Sequence, residues 1–172
     1  MFEDRREHYL DLNADDDPTF AGGKRRCFVT RDEIIRSVSD DASSKEHVVS
    51  VEVYEEPENT ALGGWFAQPH YYVVFQTRNW WWSVELRGGM VILQRAKCYN
   101  SVQNRCLGRY RNYKWFVEAG PVRCSLQQCS GKTTSIRDVI DALLDEGLFE
   151  PSEPKLSSAD VVHVVGELFP LR

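Results

Sequence analysis

Between residues 48 and 95 short runs rich in β-branched and aromatic residues, the first alternating apolar with polar positions after Val48, are separated by turn formers. Residues 48–54 (VVSVEVY) predict a first strand, 71–77 (YYVVFQT) a second and 80–86 (WWWSVEL) a third. Arg87-Gly88-Gly89 offers the positive φ angles of a tight hairpin, and residues 90–95 (MVILQR) form the returning strand. Three successive strands joined by short turns make an antiparallel meander. Residues 113–118 (YKWFVE) predict one more strand, ended by Gly120-Pro121.

On either side the period lengthens to that of a helix. Thr30 with Glu33 three residues later forms a capping box ahead of Ile34, Ile35 and Val38, which predicts a short helix over 31–38. Ser135 precedes Ile136, Val139, Ile140, Leu143 and Leu144 at helical spacing, with Gly147 just past the end. Ser157 or Ser158 opens a last segment carrying Val161, Val164, Val165, Leu168 and Phe169, read as a helix despite its four valines. The expected fold is therefore α+β: an antiparallel meander sheet with a short N-terminal helix and two C-terminal helices packed on one face. Residues 1–26, with Asp15-Asp16-Asp17-Pro18 and Gly22-Gly23-Lys24-Arg25-Arg26, read as a flexible acidic/basic arm. Residues 27–172 read as a single domain.

The 172 residues are 42% hydrophobic and 27% charged, enough for one packed core. No apolar run reaches the roughly 18 residues of a membrane-spanning helix, and the acidic start does not read as a secretory signal. Five cysteines, Cys27, Cys98, Cys106, Cys124 and Cys129, lack the close spacing of a zinc knuckle, so neither a metal nor another cofactor is expected. Their odd number argues for reduced thiols in an intracellular compartment, cytoplasmic or nuclear.

The net charge of −5 conceals a segregation. Residues 1–60 hold sixteen acids against eight bases, and residues 124–172 hold eight against four. Between them, residues 61–123 hold only Glu85 and Glu118 against nine bases. From Arg87 to Trp115 there is no acid at all. Clustered cations raise the local potential whatever the total charge, so this centre is where an anionic partner would dock unless the acidic flanks fold back on it.

Aromatic residues share the same region. Side chains alternate along a strand, so Trp80 and Trp82 share one face and Trp81 takes the other. The aromatic surface this creates must be covered by the C-terminal helices or by a partner. The expected partner surface comprises Trp80, Trp82, Arg105, Arg109, Tyr110, Arg111 and Lys114. The same residues suit RNA, whose bases stack on aromatic rings, although no RNA-recognition-motif spacing, Walker loop or dinucleotide fingerprint is present. Of four histidines, His8 and His47 fall in polar stretches that read as solvated. His70 opens a strand, and His163 lies on the last helix.

Residues 64–95, with His70 at the head of a strand and a meander behind it, resemble the first half of the lecithin:retinol acyltransferase-like branch of the circularly permuted papain-like fold. The distal match is 156–169 (LSSADVVHVVGELF), where His163 aligns with the second His of the family's Asn-Cys-x-His motif. That alignment sets Asp160 at the Asn position and Val161 at the position of the nucleophilic Cys. The resemblance implies an enzyme fold whose usual route is closed, because valine offers no thiolate. Three functions follow as expectations. The first is a non-catalytic interaction module, a pseudoenzyme that recognises a protein or other anionic partner. The second is a thiol hydrolase or acyltransferase using His70 and a displaced Cys129. The third is an RNA-binding protein.

Overall fold

A computed structural model describes residues 7–16, 27–56, 70–103, 124–126, 133–150 and 156–169. Strands β1 (His8–Asp11), β2 (Phe28–Val29), β3 (Ser50–Glu56), β4 (His70–Gln76), β5 (Trp81–Arg87), β6 (Met90–Ala96) and β7 (Cys124–Leu126) form one sheet in the order β2-β1-β6-β5-β4-β3-β7. Helices α1 (Arg31–Asp40), α2 (Tyr99–Gln103), α3 (Ile136–Asp145) and α4 (Ser158–Leu168) complete the described elements, with a 3-10 turn at Ala42–Lys45. The α+β class and the β4-β5-β6 meander are as the sequence predicts. The segment 113–118 lies outside the described residues.

Two features differ from expectation. The sheet is mixed, because β1 runs parallel to β6, with Tyr9 opposite Ile92 and Asp11 opposite Gln94. Part of the stretch read as an arm is thus a strand between β6 and β2. At four residues, and paired with a strand some eighty positions away, β1 carries too little local pattern to be seen in the sequence. His8, expected in solvent, is fully buried, its Nδ1 accepting from Val91 N at 3.1 Å and its ring edge-on to Phe149.

Local chemistry sets the element ends. Gly88 and Gly89, at φ 57° and 78°, turn β5 into β6 through the left-handed region that favours glycine. The Thr30–Glu33 capping box is formed in both directions. At the end of α3, Leu148 N bonds Leu143 O while Gly147, at φ 77°, bonds Leu144 O, a Schellman motif. Ser157 N and Oγ both donate to Asp160 at the start of α4.

One apolar face of the sheet packs under α1, α3 and α4. Val51, Val53, Val73, Phe75, Trp82, Val84, Leu86 and Leu93 meet Ile34, Val38, Ile136, Val139, Ile140, Leu143, Val161, Val164 and Val165 there. Burying Val161, Val164 and Val165 in this core overrides the modest helix propensity of valine in α4. No helix of the described residues is long and apolar enough to cross a membrane.

Candidate functional site

The opposite face of the sheet is chemically different. Cross-strand register aligns Glu52 with Val74, Tyr54 with Tyr72, Tyr72 with Glu85, and Ser83 with both Val74 and Gln94. Asp11 stands opposite Gln94. A row of polar and aromatic side chains therefore crosses the middle of the sheet, and Asp11, Ser83, Glu85 and Gln94 in it are each 1% exposed. The β5 sequence makes the division explicit. Trp82, Val84 and Leu86 enter the core under the helices, while Trp81, Ser83, Glu85 and Arg87 line the second face.

Glu85 is the hub of this row. Its Oε1 accepts from His70 Nε2 at 2.6 Å and from Arg87 Nε at 2.7 Å. Its Oε2 is buried with no hydrogen-bond partner, as is Ser83 Oγ. With Nε2–H donated to the carboxylate, the His70 ring presents Nδ1 as an acceptor, and that nitrogen has no hydrogen bond among the described residues. A carboxylate that orients an imidazole in this way fixes its tautomer, the arrangement a general base requires. Ser83 cannot be a nucleophile for that base, because it pairs with Val74, four residues beyond His70 on β4.

Farther along the row, Tyr54 lies stacked on Tyr72, ring centres 4.9 Å apart, and its hydroxyl bonds both Glu52 and Tyr99. Tyr99, on α2, donates to Glu52 Oε2 at 2.9 Å and packs edge-on to Trp81. Burial first, then hydrogen bonds to Glu52 and Tyr99, push the Tyr54 phenol far above its ordinary range. Burial raises Tyr99 too, reinforced by Glu52 and opposed by the bond with Tyr54. Both phenols thus stay protonated in the folded protein where the unfolded chain ionises them, so stability falls as pH rises beyond about 10. Ultraviolet titration should find Tyr54 silent at about pH 11 and Tyr99 ionising later than a free phenol, and Tyr54→Phe with Tyr99→Phe should flatten the alkaline loss of stability. Normal ionisation of all tyrosines in the folded state would contradict this.

The residues singled out in the sequence have separate fates. Trp82 is completely buried beneath the helices, so it offers no partner surface. The helices that the sequence places over the meander cover it. Trp80 is partly buried beside the same core, with Lys97 Nζ 3.6 Å and Arg95 Cζ 4.0 Å from its ring centre. Arg95 itself is spent inside the fold, donating to Leu12 O, Asp41 and Ser43. Arg105, Arg109, Tyr110, Arg111, Lys114 and Cys129 lie outside the described residues. Cys27 is a buried free thiol and Cys98 an exposed one.

Acidic residues from the first 60 positions do fold onto part of the basic centre. Asp41 pairs with Arg95, and Asp15 accepts from Lys97 N, Cys98 N and Ser101 Oγ at the start of α2.

The positions matched to the papain-like motif do not meet. Val161 sits in the core on the helix-covered face, Asp160 caps α4, and exposed His163 lies 3.4 Å from Glu167. His70 shares the other face with Glu85. Sequence reasoning singled out His70 but missed Glu85 and Ser83. The available signal was Glu85 itself, one of two acids in 63 residues, set in the apolar run WWWSVEL.

The fold and this site define an α+β domain with one helix-covered apolar face and one buried polar-aromatic face. No family model, curated protein or solved structure matches the chain. Among the described residues no three His, Cys, Asp or Glu side chains are grouped to hold a metal ion.

Proposed function

We propose that the chain is a non-catalytic interaction module that recognises an acidic protein surface through its basic-aromatic segment. The observation that carries this reading is the acid-free run from Arg87 to Trp115. Two of its cations, Arg87 and Arg95, are neutralised within the fold by Glu85 and Asp41. Arg105, Arg109, Arg111 and Lys114 remain as the cations of a stretch that brings no acid of its own, with Tyr110 among them in the sequence; Trp80, with Lys97 over its ring, belongs to the same charge block of 61–123. Burial of Val161 where the resemblance needs a thiolate supports a module without the usual nucleophile.

Titration with an oligoglutamate peptide tests the reading. Binding should weaken steeply between 50 and 200 mM salt, and changing Arg105, Arg109, Arg111 and Lys114 together to Gln should remove at least about ten-fold in affinity. Binding that ignores both salt and the substitutions would overturn it. Tighter binding of single-stranded RNA, with a salt slope near −0.7 per phosphate contacted, would favour the nucleic-acid function instead.

The carboxylate-held His70 favours a second reading, a thiol hydrolase or acyltransferase in which Cys129 supplies the nucleophile. A thiol-directed acyl probe should then label the native protein, with labelling abolished by Cys129→Ala and His70→Ala. No labelling would exclude it.

A further inference from the structure

Glu85 uses one carboxylate oxygen twice and the other not at all. Oε1 holds His70 and Arg87, whereas Oε2 is buried without a donor. An anionic oxygen withdrawn from water and given no hydrogen bond is costly. Two residues back on the same strand and face, Ser83 Oγ is equally buried and equally unpartnered. Alternate residues on a strand stand about 7 Å apart, so the two oxygens lie within the span of one small molecule.

Charge narrows what such a molecule is. The Arg87 guanidinium, 2.7 Å from Glu85, already offsets the carboxylate. A ligand cation would gain no unbalanced anion, and a ligand anion would face the open carboxylate oxygen. A neutral molecule with several N–H or O–H groups satisfies both open oxygens at no such penalty.

We propose that Ser83 and Glu85 on the second face, with His70 holding the Glu85 carboxylate, form a binding site for a small uncharged ligand rich in hydrogen-bond donors, a polyol or primary amide. One donor of the ligand engages Glu85 Oε2 and another group engages Ser83 Oγ. The site is independent of the basic segment and of the partner assigned to it.

Ligand-observed NMR of the full chain with glucose, myo-inositol, acetamide and guanidinium tests the assignment. At least one of the three neutral probes should bind, in preference to guanidinium. Glu85→Gln should weaken that binding about ten-fold, the loss expected for a hydrogen bond to a charged group. Ser83→Ala should weaken it several-fold. It should also leave the ligand-free unfolding midpoint unchanged or raised, because the hydroxyl it removes bonds nothing in the protein. Should Glu85→Gln fail to fold, Ser83→Ala decides alone. No binding of the neutral probes, preference for guanidinium, affinities untouched by Ser83→Ala, or a ligand-free protein destabilised by it would each overturn the assignment.

Discussion

Trp82→Ala should destabilise the domain by about 3–5 kcal/mol, read as a fall in the urea midpoint, and should act on binding only through unfolding. Trp82 is fully buried on the sheet face beneath the helices, where it is grouped with Phe75, Val84 and the valines of α4. Truncating it removes a large apolar area and leaves a cavity that a sheet pinned on both sides cannot close. Trp80, partly buried at the border of the same core, should cost roughly 1–2 kcal/mol on the same substitution. A Trp82→Ala protein of unchanged stability that had lost a partner would mean that the ring lies at the surface.

Arg95→Met should be nearly as damaging, by about 3–5 kcal/mol, with a local signature that Trp82→Ala lacks. The guanidinium holds Leu12 O through Nε and Nη2 and holds Asp41 and Ser43 through Nη1. Without it the Asp41 carboxylate, 15% exposed, loses its cation, and the chain just beyond β1 loses its side-chain tie to β6, keeping only the backbone bond from Ala14 N to Arg95 O. Amide exchange should quicken first across residues 8–12. Arg95→Lys should not restore protection, because a single ammonium cannot span a carbonyl and a carboxylate that lie in different directions. Uniform loss of protection across the sheet would instead make Arg95 one contributor to global stability among many.

The outcome for these two residues shows what the sequence carried. Alternation in WWWSVEL located β5, and the apolar run MVILQR after the Gly88-Gly89 turn located β6. It also paired Trp80 with Trp82 correctly. Alternation cannot say which face is covered, so Trp82 was assigned to a partner surface when it belongs to the core. Nothing local announced β1, whose pairing is parallel and distant. The caps at Thr30 and Ser135 and the glycines at 88, 89 and 147 were legible because they act through their immediate neighbours.

The candidate site was half legible. His70 stood out as a histidine opening a strand, but its meaning depends on Glu85, 15 positions away and brought alongside only by the β4–β5 register. Ser83 was invisible for a different reason. A serine in a strand signals nothing until its hydroxyl is found buried without a partner. The charge block loses two members to the fold, since Arg87 and Arg95 pair with Glu85 and Asp41, while the cations of 105–114 lie outside the described residues.

The second face of the sheet rests on the hydrogen bond between Glu85 and His70, and nitrogen-15 NMR of the His70 imidazole measures it directly. The proton should reside on Nε2, with Nδ1 unprotonated, and Glu85→Gln should disturb that tautomer while Arg111→Gln leaves it unchanged. A proton found resting on Nδ1, or a tautomer indifferent to Glu85, would contradict the site.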